Sequence, residues 1–204
     1  MAGRPAHGTE PVLESFCDAL EALLVEDGVA FHEITATELS RRAGVSRRTF
    51  YRHFSKMEDV LDACARRSAL AMAQRAVPLL EELGDYQTRQ TLIFEHMDEN
   101  RDLLRALKRS DMLSRFLGSF WNTYGPGWVS SRLDAGEREQ DRQRQQERLA
   151  TFSTGALSAI IEDWVDDPEA PAAAEMGPIM EDLVRSMPQL LKFDSQTEPP
   201  TGVA

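Results

Sequence analysis

Between Ile34 and Leu61 the chain reads ITATELSRRAGVSRRTFYRHFSKMEDVL, and this stretch is compatible with few folds. Thr35 and Glu38 form a T-x-x-E capping box, so a helix starts just after Thr35. Gly44 closes it, because glycine accepts a positive φ without a Cβ clash. Ser46 is the natural cap of a second short helix, Arg47 to His53. A second capping box, S-K-M-E from Ser55, predicts a longer helix that runs to about Val77, where Pro78 interrupts the pattern. Two helices of about eight residues are too short to persist alone in water. They must pack on the helix that begins near Ser55 and on a preceding helix, predicted from Pro11 to Asp27 by the stripe Leu13, Phe16, Cys17, Leu20, Leu23 and Leu24. Phe50 and Phe54, four apart, share the inward face. Short helix, glycine turn, short helix is the helix-turn-helix arrangement.

Charge gives this unit a direction. The net charge is −11, yet residues 39–57 hold Arg41, Arg42, Arg47, Arg48, Arg52 and Lys56 and no acid. From residue 78 onward, 13 basic residues face 23 acidic ones. A basic island on an acidic protein is a local footprint for a polyanion, while the acidic remainder discourages unspecific sticking. In a helix-turn-helix the second helix enters the major groove of duplex DNA. Arg47 or Arg48 would bond guanine O6 and N7, and Thr49 would touch a thymine methyl. Thr35, Ser46, Tyr51, His53 and Lys56 lie at element ends, suited to phosphate. For Arg41, Arg42 and Arg52, solvated surface is an equal alternative.

The same run resembles the DNA-binding signature of the TetR family of transcriptional regulators. Its Thr-initiated helix, A-G-V-S turn, T-F-Y-x-H-F core and acidic-hydrophobic helix start match in order, over about residues 12–65. The resemblance implies phosphate contacts from Thr35, Tyr51 and His53, and base-edge contacts from Arg47, Arg48 and Thr49. It departs at one point. Ser55 follows Phe54 directly, which places Met57 where the family carries a phosphate-binding Lys; Lys56, one residue early, is the candidate replacement. The resemblance also implies an effector cavity in the middle of the chain. The aromatic-rich stretch there supplies Phe94, Met97, Phe116, Phe120, Trp121, Tyr124 and Trp128, with Glu95, His96, Asn122 and Tyr124 as polar handles. Ordinary core packing is the competing reading for each.

The rest of the chain is expected to be all-α, about nine helices in total. Further helices are predicted near 86–98, 101–109, 112–132, 142–166 and 174–192, with breaks at DDPEAPA and MGP. DAGEREQDRQRQQER (134–148) is expected to be a loop leading into a solvated first turn. The implied organisation is an N-terminal three-helix DNA-binding domain (1–56), a helical effector-binding and dimerisation domain (57–193) and a tail (194–204), with residues 1–9 also polar. One small head makes few base contacts, so two heads on an inverted repeat are expected. The dimer interface is expected on the last two helices, through Phe152, Ala156, Ile160, Trp164, Ile179, Leu183 and Met187; a monomeric core is the alternative.

Cys17 and Cys64, far apart in sequence and inside apolar stripes, are expected to be reduced core thiols. That fits a cytoplasmic protein, as does the absence of a secretory h-region or a membrane-length apolar run. No metal, cofactor or catalytic spacing is apparent, which disfavours an enzyme. The expected partners are double-stranded DNA, a small apolar or aromatic effector and a second copy of the chain. A ligand-binding dimer without DNA recognition, and an architectural DNA binder without effector, remain open.

Overall fold

A computed structural model describes residues 10–83, 85–129 and 139–190. Among them the regular structure is helical throughout: α1 (Glu10–Val25), a single 3-10 turn (Phe31–Glu33), α2 (Ala36–Arg42), α3 (Arg47–His53), α4 (Met57–Leu83), α5 (Tyr86–Glu99), α6 (Arg101–Arg109), α7 (Leu113–Val129), α8 (Glu139–Trp164) and α9 (Ala173–Leu190). No described helix is long and apolar enough to cross a membrane. The expected tails at 1–9 and 194–204, and residues 134–138 of the expected loop, lie outside the described residues.

The local rules for α2 and α3 hold. The Thr35 hydroxyl accepts from the Glu38 amide at 3.1 Å, and the Ser46 hydroxyl accepts from the Thr49 amide at 3.1 Å. Gly44 sits at φ +68°, the left-handed turn that a Cβ would strain. Glu38 does not complete its box; its carboxylate pairs with Arg41 instead. The start of α4 also differs from expectation. Glu58 of the S-K-M-E box is not the cap. Asp59 Oδ2 accepts from the Ser55 and Lys56 amides at 2.8 and 3.1 Å, one residue later.

Two predicted breaks are absent. α4 continues through Pro78 to Leu83, because it is already held by packing against α1, α5 and α7. Such support outweighs the roughly 3 kcal/mol a mid-helix proline costs. The M-G-P sequence lies inside α9 rather than before it. There Gly177 is the point of closest approach to α5: a Cβ would collide with the Thr91 side chain and stand 2.6 Å from the Gln87 carbonyl oxygen. The α5–α9 pair is the most extensive helix contact of the described fold. Gly177→Ala is therefore expected to destabilise the protein by about 1–3 kcal/mol in urea denaturation. Gly118→Ala, where a Cβ meets nothing, should instead stabilise by about 0.5–1 kcal/mol through helix propensity. Equal effects of both would refute the packing argument.

The head is built on Phe16 of α1. Its ring meets Phe50 at 5.7 Å and Phe54 at 5.4 Å, both edge-on, and Leu39 closes the cluster from α2. Among the described residues, head and body are tied by α4 itself, by α1 packed on α4 and α6, and by the Phe31 amide donating to the Ser110 hydroxyl at the end of α6, 3.0 Å away and buried. In the body, Arg115 and Ser119 of α7 hold Asp62 of α4 at 2.6 and 2.7 Å. Burial pushes the Asp62 carboxyl up, but these bonds outweigh it and leave its pKa lowered. Basic residues of α6 close the end of α8. Arg101 donates to the Trp164 carbonyl, Arg105 to that of Val165 and Lys108 to that of Glu162, which satisfies carbonyls that a helix terminus leaves unpaired.

Candidate nucleic-acid interface

α3 carries one apolar side chain inward and its cations outward. Phe50 is 1% exposed, whereas Arg47, Arg48, Tyr51 and Arg52 face solvent. Tyr51 is 54% exposed, a large value for an aromatic, and its position is defined from both sides. Its ring stands edge-on to Phe50 at 5.1 Å, and the Arg47 guanidinium lies 5.6 Å over it. The phenol is thereby presented to solvent on a rigid support.

The six cations of the basic island divide in two. Arg41 pairs with Glu38 at 2.6 Å, and Arg42 with Glu26 at 2.7 Å and Asp27 at 3.4 Å. Those two are neutralised within the chain. Arg47, Arg48, Arg52 and Lys56 have no carboxylate partner among the described residues, and Arg52 only leans on the neighbouring His53 ring at 3.4 Å. The unpaired cations all lie on α3 and the turn that follows it. Thr35 and Ser46 are exposed, with the oxygen of each serving a helix cap; Ser46 also bonds the half-buried Thr49 hydroxyl at 2.9 Å. His53 is half-buried and tilts on Phe54. Met57 packs partly against the core while Lys56 is exposed, so of the two only Lys56 is free to meet an anion.

The residues expected to bind an effector are largely packed on one another. Phe94, Met97, Phe120 and Trp121 are buried; Phe94 meets Trp164 edge-on at 5.4 Å, and Phe120 meets Trp121 at 4.9 Å. Tyr124 is half-buried beside Phe120, and the Trp128 side chain lies outside the described set. A cavity of about 230 Å³ opens elsewhere, between α1, α4, α5, α6 and α7. Of the expected residues, Phe116 and the polar handle His96 line it, with Asn100 at the end of α5 and Ser68 from α4. His96 Nε2 is 2.8 Å from the Ser68 hydroxyl, and burial pushes the imidazole pKa below its ordinary value.

Sequence reading missed a polar group in the body. Gln90 is fully buried, and neither its amide oxygen nor its nitrogen has a partner among the described residues. The signal was present: Gln90, Phe94 and Met97 follow the helical period on one face of α5.

The interface set divides as well. Phe152 is 59% exposed, Ile179 41% and Leu183 42%, with Val184 beside them at 42%. Ala156 and Ile160 are half-buried. Trp164 is an internal side chain of its own chain. Its indole N–H donates to the Pro171 carbonyl at 2.9 Å, and the Arg101 guanidinium covers its ring at 3.9 Å. The Met187 side chain lies outside the described set.

Residues 18–64 match the family described as bacterial regulatory proteins, tetR family. Among solved structures, the chain is similar to Lin0861 from Listeria innocua, with 17% identity over 92% of this chain and 96% of that one and a TM-score of 0.63. It is also similar to AlkX of a Dietzia species, a TetR family repressor implicated in biodegradation of n-alkanes (16% identity, 93% and 98% covered, TM-score 0.55). A third is the transcriptional regulator FadR of Bacillus subtilis in complex with stearoyl-CoA (14% identity, 84% and 96% covered, TM-score 0.53). At these identities the likeness is one of fold. No curated protein matches the sequence.

Proposed function

We propose, from the premise that this chain is a helix-turn-helix transcription regulator of the tetR family, that it is a dimeric repressor released from an inverted-repeat operator by a small effector. The observation that carries the reading is the outward face of α3. Arg47, Arg48, Arg52 and Lys56 are unpaired there beside a braced Tyr51, while the two remaining cations of the island are neutralised. Cations left without partners on a rigid convex helix suit the major groove and its flanking phosphates.

Dimerisation follows from the exposed apolar side chains of α8 and α9. Phe152, Ile179, Leu183 and Val184 stand in water in one copy. A second copy related by a twofold axis would cover them and set two heads at adjacent half-sites about 34–36 Å apart. The cavity next to α4 is where a ligand would act, since α1 and α4, which line it, connect head and body. At about 230 Å³ it takes a compact apolar or aromatic compound, below the roughly 300–1,000 Å³ of drug-sized sites. The long acyl chain carried by the Bacillus subtilis neighbour calls for more room. A ligand releases DNA only as far as it prefers the non-binding spacing. A regulator of this kind works in the cytoplasm, with the DNA.

Arg48→Ala is expected to weaken operator binding about 5- to 150-fold, the range of 1–3 kcal/mol for a lost base contact, and to relax sequence preference. Tyr51→Phe should weaken it several-fold with the preference intact, as loss of a phosphate contact does. Operators identified by genome-wide mapping of bound DNA, followed by fluorescence anisotropy, test both. Unchanged affinity in both variants sinks the docking assignment.

A further inference from the structure

We propose that Cys17 of α1 and Cys64 of α4 form a reversible dithiol–disulfide site, closed by a peroxide-class oxidant that enters the cavity both residues line. The pair is remote in sequence and was expected to be two unrelated core thiols. The packing of α1 on α4 places both as free, buried thiols on the wall of one cavity. They are the only two cysteines of the chain.

Three observations distinguish this pair from inert buried thiols. Both line the 230 Å³ cavity, and Cys17 also lines a second groove of about 440 Å³ outside α1 and α4, so a small oxidant has access although each residue is less than a tenth exposed. The two sulfurs differ in character. The neighbouring Cys64 side chain and the Arg67 guanidinium lower the Cys17 thiol pKa against the effect of burial, while burial pushes Cys64 well up. Cys17 lines both openings and Cys64 only one, so Cys17 is placed to meet the oxidant first, with Cys64 as its resolving partner. Finally, Arg67 is itself held in place by Asp18 and Glu21.

The chemistry balances with hydrogen peroxide as oxidant. The Cys17 thiolate attacks one peroxide oxygen; an S–O bond forms, the O–O bond breaks, and hydroxide leaves. The Cys17 sulfenic acid is then attacked by the Cys64 sulfur. The S–S bond forms, the S–O bond breaks, and the Cys64 proton leaves with the second oxygen as water. The proton lost from Cys17 on ionisation is taken up by the hydroxide, so two thiols lose two electrons and peroxide becomes two waters. The new bond joins the two helices that tie the head to the body, one residue from Phe16, on which Phe50 and Phe54 rest.

The test treats the purified full-length chain with hydrogen peroxide and then dithiothreitol, reading intact mass, thiols titrated after denaturation, and dimedone adducts. The wild type should lose both thiols and about 2 Da within one chain, and recover on reduction. Its melting temperature should rise by about 10 °C on oxidation, because the bond closes a long loop. Cys64→Ser should trap Cys17 as a dimedone-reactive sulfenic acid, and Cys17→Ser should leave Cys64 unreactive. Thiols that persist while methionines oxidise, cross-linking between chains only, or the reverse labelling pattern would each overturn the site. None of these readouts depends on DNA, so a failed operator assay and a failed thiol site are told apart.

Discussion

Phe50→Ala should destabilise the head by about 3–5 kcal/mol and abolish operator binding while leaving the body folded. Phe50 is 1% exposed and touches Phe16 at 5.7 Å, Phe54 at 5.6 Å and Tyr51 at 5.1 Å. Removing the ring loses its transfer free energy and leaves a hole that α2 and α3 are too short to close. Proteins of this kind are stable by only about 5–15 kcal/mol, so the loss unfolds much of the head population. Tyr51 loses the ring it leans on, and the Arg47–Tyr51 stack goes with it. The body has its own packing in α5–α9 and α4–α7, so it should persist. Urea denaturation followed by circular dichroism should therefore separate into two transitions, the first displaced to low denaturant. A single transition shifted by less than about 1 kcal/mol would mean that Phe50 is not the keystone of the head.

Leu183→Glu should split the dimer and lower operator affinity at least about 100-fold, because two tethered heads become two independent ones. Leu183 is 42% exposed in the single chain, so its replacement removes little from the chain's own core. Glutamate is also a good helix former, and α9 should keep its shape. In the dimer, by contrast, each copy would bring a charge into an apolar contact with Phe152, Ile179 and Val184, and an unpaired buried charge is strongly unfavourable. Sedimentation equilibrium at micromolar concentration should show a wild-type dimer and a monomeric variant of nearly unchanged melting temperature. If the wild type is a monomer, or the variant stays a dimer, the interface lies elsewhere or does not exist.

The ease with which parts of this protein were read from sequence follows the range of the forces involved. Thr35, Gly44 and Ser46 act on backbone groups within three or four residues of themselves, so the caps and the turn of the helix-turn-helix were readable directly. The inward pair Phe50 and Phe54 needed only the helical period. Asp59 shows the limit: Glu58 and Asp59 both satisfy the pattern of an acid near a helix start, and one residue of register decided which carboxylate caps α4. Pro78 and Gly177 were read as breaks because each opposes a helix in isolation. Packing against other helices settled both, one by outweighing the cost and one by using the missing Cβ.

The amino-acid order by itself determined where the short helices begin, that their shared surface is cationic, and that the remaining chain is a bundle of amphipathic helices. It did so because propensity, capping and periodicity act between near neighbours. Only the tertiary structure decided which cations are free, through Glu26 and Asp27 reaching Arg42 across more than a dozen residues. It also decided that Trp164 is internal, and that Cys17 and Cys64 line one cavity together with Phe116 and His96. Each of those facts depends on which helix faces lie against each other, and helix-to-helix contact is set by the summed shape of many side chains, which no short window of sequence contains.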